Sequence, residues 1–128
     1  MSQVTIFRFA ALAMALGVIL GAFGAHALKA RLTPDDLAIW QTGVQYHLLH
    51  GVALVGIAAL WPMLDGGGTS VWGVRLIMAG VIIFSTSLYL LVLTGPRWLG
   101  AITPIGGVLM ISGWLLLAVS SVSNLRGV

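Results

Sequence analysis

Four long apolar stretches alternate with short polar ones along this chain of 128 residues. They cover about 6–28, 44–62, 71–94 and 100–122. Each is close to the length of about 20 residues that an α-helix needs to cross a bilayer. Because the connections are short, we expect consecutive helices to run antiparallel. The pattern predicts a single all-α membrane domain, a four-helix bundle of up-down-up-down topology with both termini on one side.

The composition supports a membrane protein and excludes several other classes. Only 7% of the residues are charged, 59% are hydrophobic and the mean hydropathy is +1.08, whereas soluble domains are about 25% charged. We therefore expect lipid to be the solvent of most of the surface. The six basic residues form no patch in the sequence, so nucleic acid is not an expected partner. Without cysteine there is no disulfide or thiolate ligand.

The first stretch has two interpretations. Arg8 followed by an apolar run and Ala25-His26-Ala27 is compatible with a cleaved secretory signal. A ladder of small residues at every fourth position, Ala13, Gly17, Gly21 and Ala25, favours a permanent span. Such ladders let helices approach closely in lipid. Small residues within the fourth stretch predict a similar contact. The expected helix-contact glycines are Gly17, Gly21, Gly106 and Gly107.

Polar residues mark where the helices begin and end. Thr33-Pro34-Asp35-Asp36 predicts a capped helix start with carboxylates in the first turn. We expect a short interfacial helix there, running into the second span with Gly43 as the place for a bend. Leu64 to Ser70 is the clearest loop and the best candidate for disorder. Gly95-Pro96-Arg97-Trp98 predicts a tight turn after the third span. Thr103-Pro104 predicts a cap and first-turn proline for the fourth helix.

The orientation in the membrane is not decided by the basic residues. Three of them fall on each side in this topology: Arg8, Arg75 and Arg126 on the side of the termini, and Lys29, Arg31 and Arg97 on the other. The free amine of Met1 favours termini in the cytoplasm, and the expected location is the inner membrane of a bacterium.

The same topology gathers most of the polar residues of the spans at one membrane face. Polar groups inside lipid are costly unless they are paired, so such a cluster is a candidate functional site. The cluster comprises His26, Tyr46, His47, His50, Tyr89 and Thr103.

Two chemical interpretations of this cluster remain open. His47 and His50 lie about 60° apart on a helix, so with His26 they could hold a metal ion or haem, but no fourth ligand is evident. Neither a metal nor another cofactor is therefore expected. Alternatively, Tyr46 and His50 could relay protons together with Asp35 or Asp36. This needs the polar stripe to continue along Arg75, Thr86 and Tyr89 of the third span. The hydroxyls of that span could instead bond carbonyls one turn back.

No motif of an enzyme is evident. No serine stands near both a histidine and a carboxylate, and the Gly66-Gly67-Gly68 run lacks the residues of a phosphate-binding loop. The sequence therefore predicts a structural or accessory membrane protein without catalytic activity, which self-associates into a homo-oligomer. A small transporter, channel or proton-conducting protein is the alternative.

Four motifs, in order, resemble those of the domain-of-unknown-function 423 family. They are Gly21-Ala-Phe-Gly-Ala-His26, Trp40-Gln-Thr-Gly-Val-Gln-Tyr46-His47-Leu-Leu-His50, Phe84-Ser-Thr-Ser-Leu-Tyr89 and Thr103-Pro-Ile-Gly-Gly107. Members are small bacterial inner-membrane proteins, similar to the eukaryotic transmembrane protein 256. The resemblance covers nearly the whole chain and implies a four-span membrane protein. It implies no activity and no catalytic residue.

Overall fold

The structure is a computed structural model that describes residues 1–64, 67–120 and 122. The described chain is a helical bundle, and each of its four helical segments is long and apolar enough to cross a membrane, as predicted. The helices are α1 (Gln3–Phe23), α2 (Pro34–Leu60), α3 (Gly68–Thr94) and α4 (Thr103–Ala118). A π-helical turn, Gly24–Leu28, extends α1, and 3₁₀ turns occupy Trp61–Met63 and Arg97–Ala101.

The start of α2 follows from its sequence. The Thr33 hydroxyl accepts a hydrogen bond from the Asp36 amide at 3.2 Å, and Pro34 takes the first helical position. The two carboxylates of the first turn lie at the positive end of the helix dipole. The helix then continues without interruption through Gly43. The expected interfacial helix and the second span are thus parts of a single helix of 27 residues.

The other boundaries differ from the predicted ones by a few residues. α3 begins at Gly68, so the second half of the stretch expected to be a disordered loop is helical. Its other end is the expected tight turn, where Gly95 adopts a left-handed φ of 89° that favours glycine. α4 ends at Ala118, earlier than 122. Asp65, Gly66, Arg126 and the predicted tail 124–128 lie outside the described residues.

Consecutive helices pack side by side, α1 on α2, α2 on α3 and α3 on α4. Within the described ranges, α1 makes no extensive backbone approach to α3 or α4, which leaves a groove beside it. All four helices contribute to an apolar core in the half of the bundle where the chain begins. It consists of Ile6, Ala10, Leu54, Ile57, Ala58, Val74, Ile77, Val81 and Met110. The outer faces of α1 and α4 are apolar and exposed, as a lipid environment requires.

Glycines set the distance between α3 and α4. A Cβ on Gly106 would lie 2.5 Å from the Phe84 amide nitrogen, and one on Gly113 would lie 2.6 Å from the Gly73 carbonyl oxygen. The expected contact at Gly106 is therefore present. Gly107 makes no such contact within the chain, since a Cβ there would have no neighbour within 4 Å among the described residues. Gly107 is one residue, or about 100°, further around the helix.

Glycines also bring α1 close to α2, and the line of contact leaves the predicted ladder after Gly21. Cβ atoms on Gly17 and Gly21 would meet Leu48 and Val44, and one on Gly24 would meet the Trp40 ring. Ala25, the next step of the predicted ladder, is exposed. Residues four apart on an α-helix are offset by about 40° around its axis. A ladder with that spacing therefore turns away from α2, and the next close contact after Gly21 is at Gly24, three residues on.

Candidate functional site

A hydrogen-bonded pair of buried side chains lies between α2 and α3. His47 stands half-way along α2, and its Nδ1 is 3.1 Å from the hydroxyl oxygen of Tyr89 on α3. The imidazole packs against α1 as well, close to the Cβ position of Gly17. Both residues are buried. The pair therefore ties three helices together in the interior of the bundle.

Aromatic packing and a serine hold the Tyr89 ring in place. Its centroid lies 4.7 Å from that of Trp40, whose indole N–H donates to the Leu20 carbonyl at 3.0 Å. Gly43 gives the ring its room, because a Cβ there would lie 2.8 Å from the tyrosine Cε1. The Ser85 hydroxyl donates to the Gly43 carbonyl at 2.8 Å. Gly43 is thus a packing position within an uninterrupted helix.

A cavity of about 380 Å³ lies between α1 and α3. The side chains of His47 and Tyr89 line its inner end. Apolar side chains of the two helices form its walls, and Leu12, Leu16 and Ile82 at its margins are exposed on the outside of the bundle. The polar groups that reach it are His47, Ser85, Thr86 and Tyr89. No lining residue carries a full charge from an Asp, Glu, Lys or Arg side chain.

His50 belongs to a different interface. Its Nε2 accepts a hydrogen bond from the indole N–H of Trp114 on α4 at 3.2 Å, and its Nδ1 lies 2.9 Å from the Tyr46 carbonyl oxygen. The Tyr46 ring stacks near the imidazole and packs against Phe84, with centroids 6.1 and 4.6 Å away. His50 thus joins α2 to α4 while its neighbour His47 faces α1 and α3.

Thr103 pairs with a serine of α3 instead of capping α4. Its hydroxyl lies 2.7 Å from the Ser87 hydroxyl, which also donates to the Phe84 carbonyl one turn back. The expected helix cap is therefore wrong, although Pro104 does lie in the first turn of α4. The physical reason is that Thr103 already has helical backbone geometry and a buried hydroxyl partner on the neighbouring helix.

The remaining member of the predicted cluster lies apart. His26 is in the π-helical turn, on the exposed side of the first span. Among the described residues, no group of three His, Cys, Asp or Glu side chains is arranged to hold a metal ion. The geometry of these histidines therefore gives no support to a site that His26, His47 and His50 would share.

The predicted cluster is thus divided into separate contacts, and it extends deeper than one membrane face. His47 lies thirteen residues after Pro34, or about 20 Å along α2. In the prediction, the first turns of α2 belonged to an interfacial helix and the second span began at about 44. His47 was therefore expected near the membrane face.

Sequence reasoning missed two partners, Trp114 of His50 and Ser87 of Thr103. A tryptophan in the middle of an apolar span is a usable signal, because its indole N–H needs an acceptor away from water.

Comparison with known proteins agrees with this architecture. The family described as "Protein of unknown function (DUF423)" matches residues 20–107. The chain belongs to this family. It is similar to the UPF0382 membrane protein YwdK of Bacillus subtilis, at 44% identity over 110 residues, 86% of this chain and 89% of the relative. The corresponding UPF0382 protein of Staphylococcus haemolyticus is 44% identical over 114 residues, 87% and 89% of the two chains.

Membership in the DUF423 family confirms the resemblance seen in the sequence motifs. The names of these relatives describe membrane proteins and state no activity. No solved structure matches the chain.

Proposed function

We propose that this chain is a structural or accessory protein of the bacterial inner membrane, which works as a small homo-oligomeric bundle without catalytic activity. One observation carries the proposal. In the described part of the chain, no buried side-chain nitrogen or oxygen lacks a hydrogen-bond partner. The pairs His47–Tyr89, Ser87–Thr103 and His50–Trp114 each join two helices. Polar residues used in this way fix helix packing, which is their common role in membrane bundles.

The packing of α3 favours this function over transport. A conducting route from the polar pair would have to pass Thr86 and approach Arg75 along α3. Arg75 is exposed and lies 5.2 Å over the Trp72 ring, an arrangement suited to the headgroup region. Between these levels, the inner face of α3 carries the buried apolar residues Ile77 and Val81. A packed apolar layer of this kind opposes the passage of water and ions.

The outer surfaces support self-association and lipid contact. Most of the α1 and α4 surface faces outward with large apolar side chains, among them Leu12, Ile19, Ile111 and Leu115. Large apolar side chains of this kind suit lipid contact, whereas self-association in lipid relies on close packing at small residues such as Gly107, where a Cβ would have no described atom within 4 Å. The family occurs in Bacillus and Staphylococcus, which fits a location in the cell membrane.

Reconstitution into liposomes tests the proposal. We expect proton and ion flux no greater than that of empty liposomes, and cross-linking in the same liposomes that captures a defined oligomer of this chain. The His50→Ala and Tyr89→Phe variants serve as matched samples. A flux that the wild type supports and these variants abolish would make the chain a conducting protein. A chain that stays monomeric under cross-linking would remove the homo-oligomer from the proposal.

A further inference from the structure

We propose that the cavity between α1 and α3 binds a neutral lipid whose head carries a hydrogen-bonding hydroxyl or carbonyl group. The site goes beyond the proposed accessory role and does not depend on it. Its volume of about 380 Å³ falls in the range of ligand cavities, roughly 300–1,000 Å³. The cavity combines apolar walls with a few convergent polar groups, which is the usual composition of a small-molecule site.

The position of the cavity determines how a ligand reaches it. Leu12 and Leu16 of α1 and Ile82 of α3 stand at its margins and are 72%, 50% and 52% exposed. All three lie well inside spans, so their exposed surfaces face hydrocarbon in a membrane. A ligand therefore enters laterally from the bilayer, and only a lipid-soluble molecule has access.

The polar groups that line the cavity determine the chemistry of the head. Thr86 forms no side-chain hydrogen bond with any residue that the structure describes, and its hydroxyl offers both a donor and an acceptor. The Ser85 hydroxyl is already engaged, since it donates to the Gly43 carbonyl and also pairs with the Tyr89 side chain. The Thr86 hydroxyl is therefore the group that suits a ligand carrying its own hydroxyl or carbonyl group.

The lining offers no permanent charge to a charged head. No Asp, Glu, Lys or Arg side chain lines the cavity, and its one imidazole, that of His47, already pairs through Nδ1 with Tyr89. A phosphate would therefore lose its hydration without gaining a permanent counter-charge. The apolar walls formed by residues such as Phe9, Leu20 and Val81 suit the tail or ring of the ligand. Diacylglycerols and prenylated quinones both carry this chemistry, and the experiment distinguishes them.

Binding to the purified chain in phosphatidylcholine nanodiscs tests the site. The probes are radiolabelled dioctanoylglycerol and a benzoquinone with two isoprene units, each corrected for uptake by empty nanodiscs. We expect saturable binding of at least one probe, with one site per chain. The probe that binds more tightly shows which head group, the glycerol hydroxyl or the quinone carbonyl, the cavity prefers. Added phosphatidylglycerol should not compete. Uptake no greater than that of empty nanodiscs, or equal competition by phosphatidylglycerol, would overturn the proposal.

Two pairs of variants locate the binding. Ala13→Leu fills the cavity and should weaken binding at least tenfold, whereas Ala11→Leu adds the same atoms at an exposed position outside it. Thr86→Val removes one hydroxyl and should weaken binding about fivefold. Its control is Thr94→Val, whose hydroxyl bonds the Leu90 carbonyl at the end of α3.

These variants also separate binding from misfolding. Because Thr86 is exposed and has no described side-chain hydrogen bond, its replacement by valine should leave the melting temperature of the protein unchanged. Wild-type binding by both Ala13→Leu and Thr86→Val would show that the probes occupy the bilayer or another surface. A failure of this site leaves the accessory function standing, since that function is tested by flux and cross-linking.

Discussion

The indole N–H of Trp114 on α4 donates to Nε2 of His50 on α2 over 3.2 Å, and Nδ1 of the same imidazole lies 2.9 Å from the Tyr46 carbonyl oxygen. A carbonyl only accepts and an indole N–H only donates. Nδ1 therefore carries the hydrogen and Nε2 the lone pair. The two contacts together fix His50 as one neutral tautomer, and they join two helices that are not neighbours in the chain.

A double-mutant cycle on this pair should show a favourable coupling. We expect Trp114→Phe and His50→Ala to be coupled by about 0.6 kcal/mol, and by no more than about 1.7 kcal/mol, the range measured for hydrogen bonds between helices in membranes. The measurement is the free energy of unfolding in mixed micelles. Trp98→Phe is the control, because Trp98 is 65% exposed in the turn before α4. Strict additivity of Trp114→Phe with His50→Ala would contradict the contact.

The two tyrosines of the chain should respond differently to the loss of their hydroxyls. Tyr89→Phe leaves His47 Nδ1 without its buried partner, and we expect it to lower the free energy of unfolding by about 1 kcal/mol. Tyr46 is 40% exposed, and its hydroxyl forms no hydrogen bond with a described residue, so Tyr46→Phe should change little. Equal effects of the two substitutions would speak against the buried pair.

The neighbouring glycines of α4 provide a test of the α3–α4 contact. Gly106→Ala forces a methyl group to within 2.5 Å of the Phe84 amide nitrogen, and overpacking of this kind costs about 1–3 kcal/mol. Gly107→Ala meets no atom within 4 Å among the described residues and gains helix propensity, so it should be neutral or stabilising by up to about 1 kcal/mol. Unfolding in mixed micelles measures both. The reverse order would mean that α4 is rotated relative to the structure.

The sequence predicted the parts of the fold that depend on local chemistry. The length of the apolar stretches gave the four helices because backbone groups in lipid must be satisfied within a helix. Thr33, Pro34 and the two aspartates predicted the start of α2 because a cap acts within a single turn. The left-handed Gly95 belongs to a turn that Gly95-Pro96 already indicated.

Contacts between helices were harder to predict because they depend on the rotation of each helix about its axis. His47 and His50 are about 60° apart on α2, and that difference sends one side chain toward α3 and the other toward α4. Gly106 and Gly107 are about 100° apart around α4, so the rotation of that helix decides which of them faces α3. Hydropathy gives no direction for such rotations in lipid, since the outer face of a span is as apolar as the inner face.

The membrane topology itself can be tested without a background signal, because the chain contains no cysteine. Ser2 precedes α1 and Met63 lies between α2 and α3, so single cysteines at these positions should be labelled by an impermeant maleimide from the same side. Arg31 and Trp98 lie in the two connections at the other end of the bundle, and cysteines there should be labelled from the opposite side.

The same labelling would also settle the orientation. Among the described basic residues, Lys29, Arg31 and Arg97 lie at the end opposite Arg8 and Arg75, and Arg126 is outside the described range. Termini in the cytoplasm predict that the Ser2→Cys protein is labelled in inverted vesicles and protected in right-side-out ones. The opposite pattern would reverse the orientation and leave the bundle unchanged. Labelling of Ser2→Cys and Arg31→Cys from one side would be incompatible with α1 crossing the membrane, and would require a different bundle.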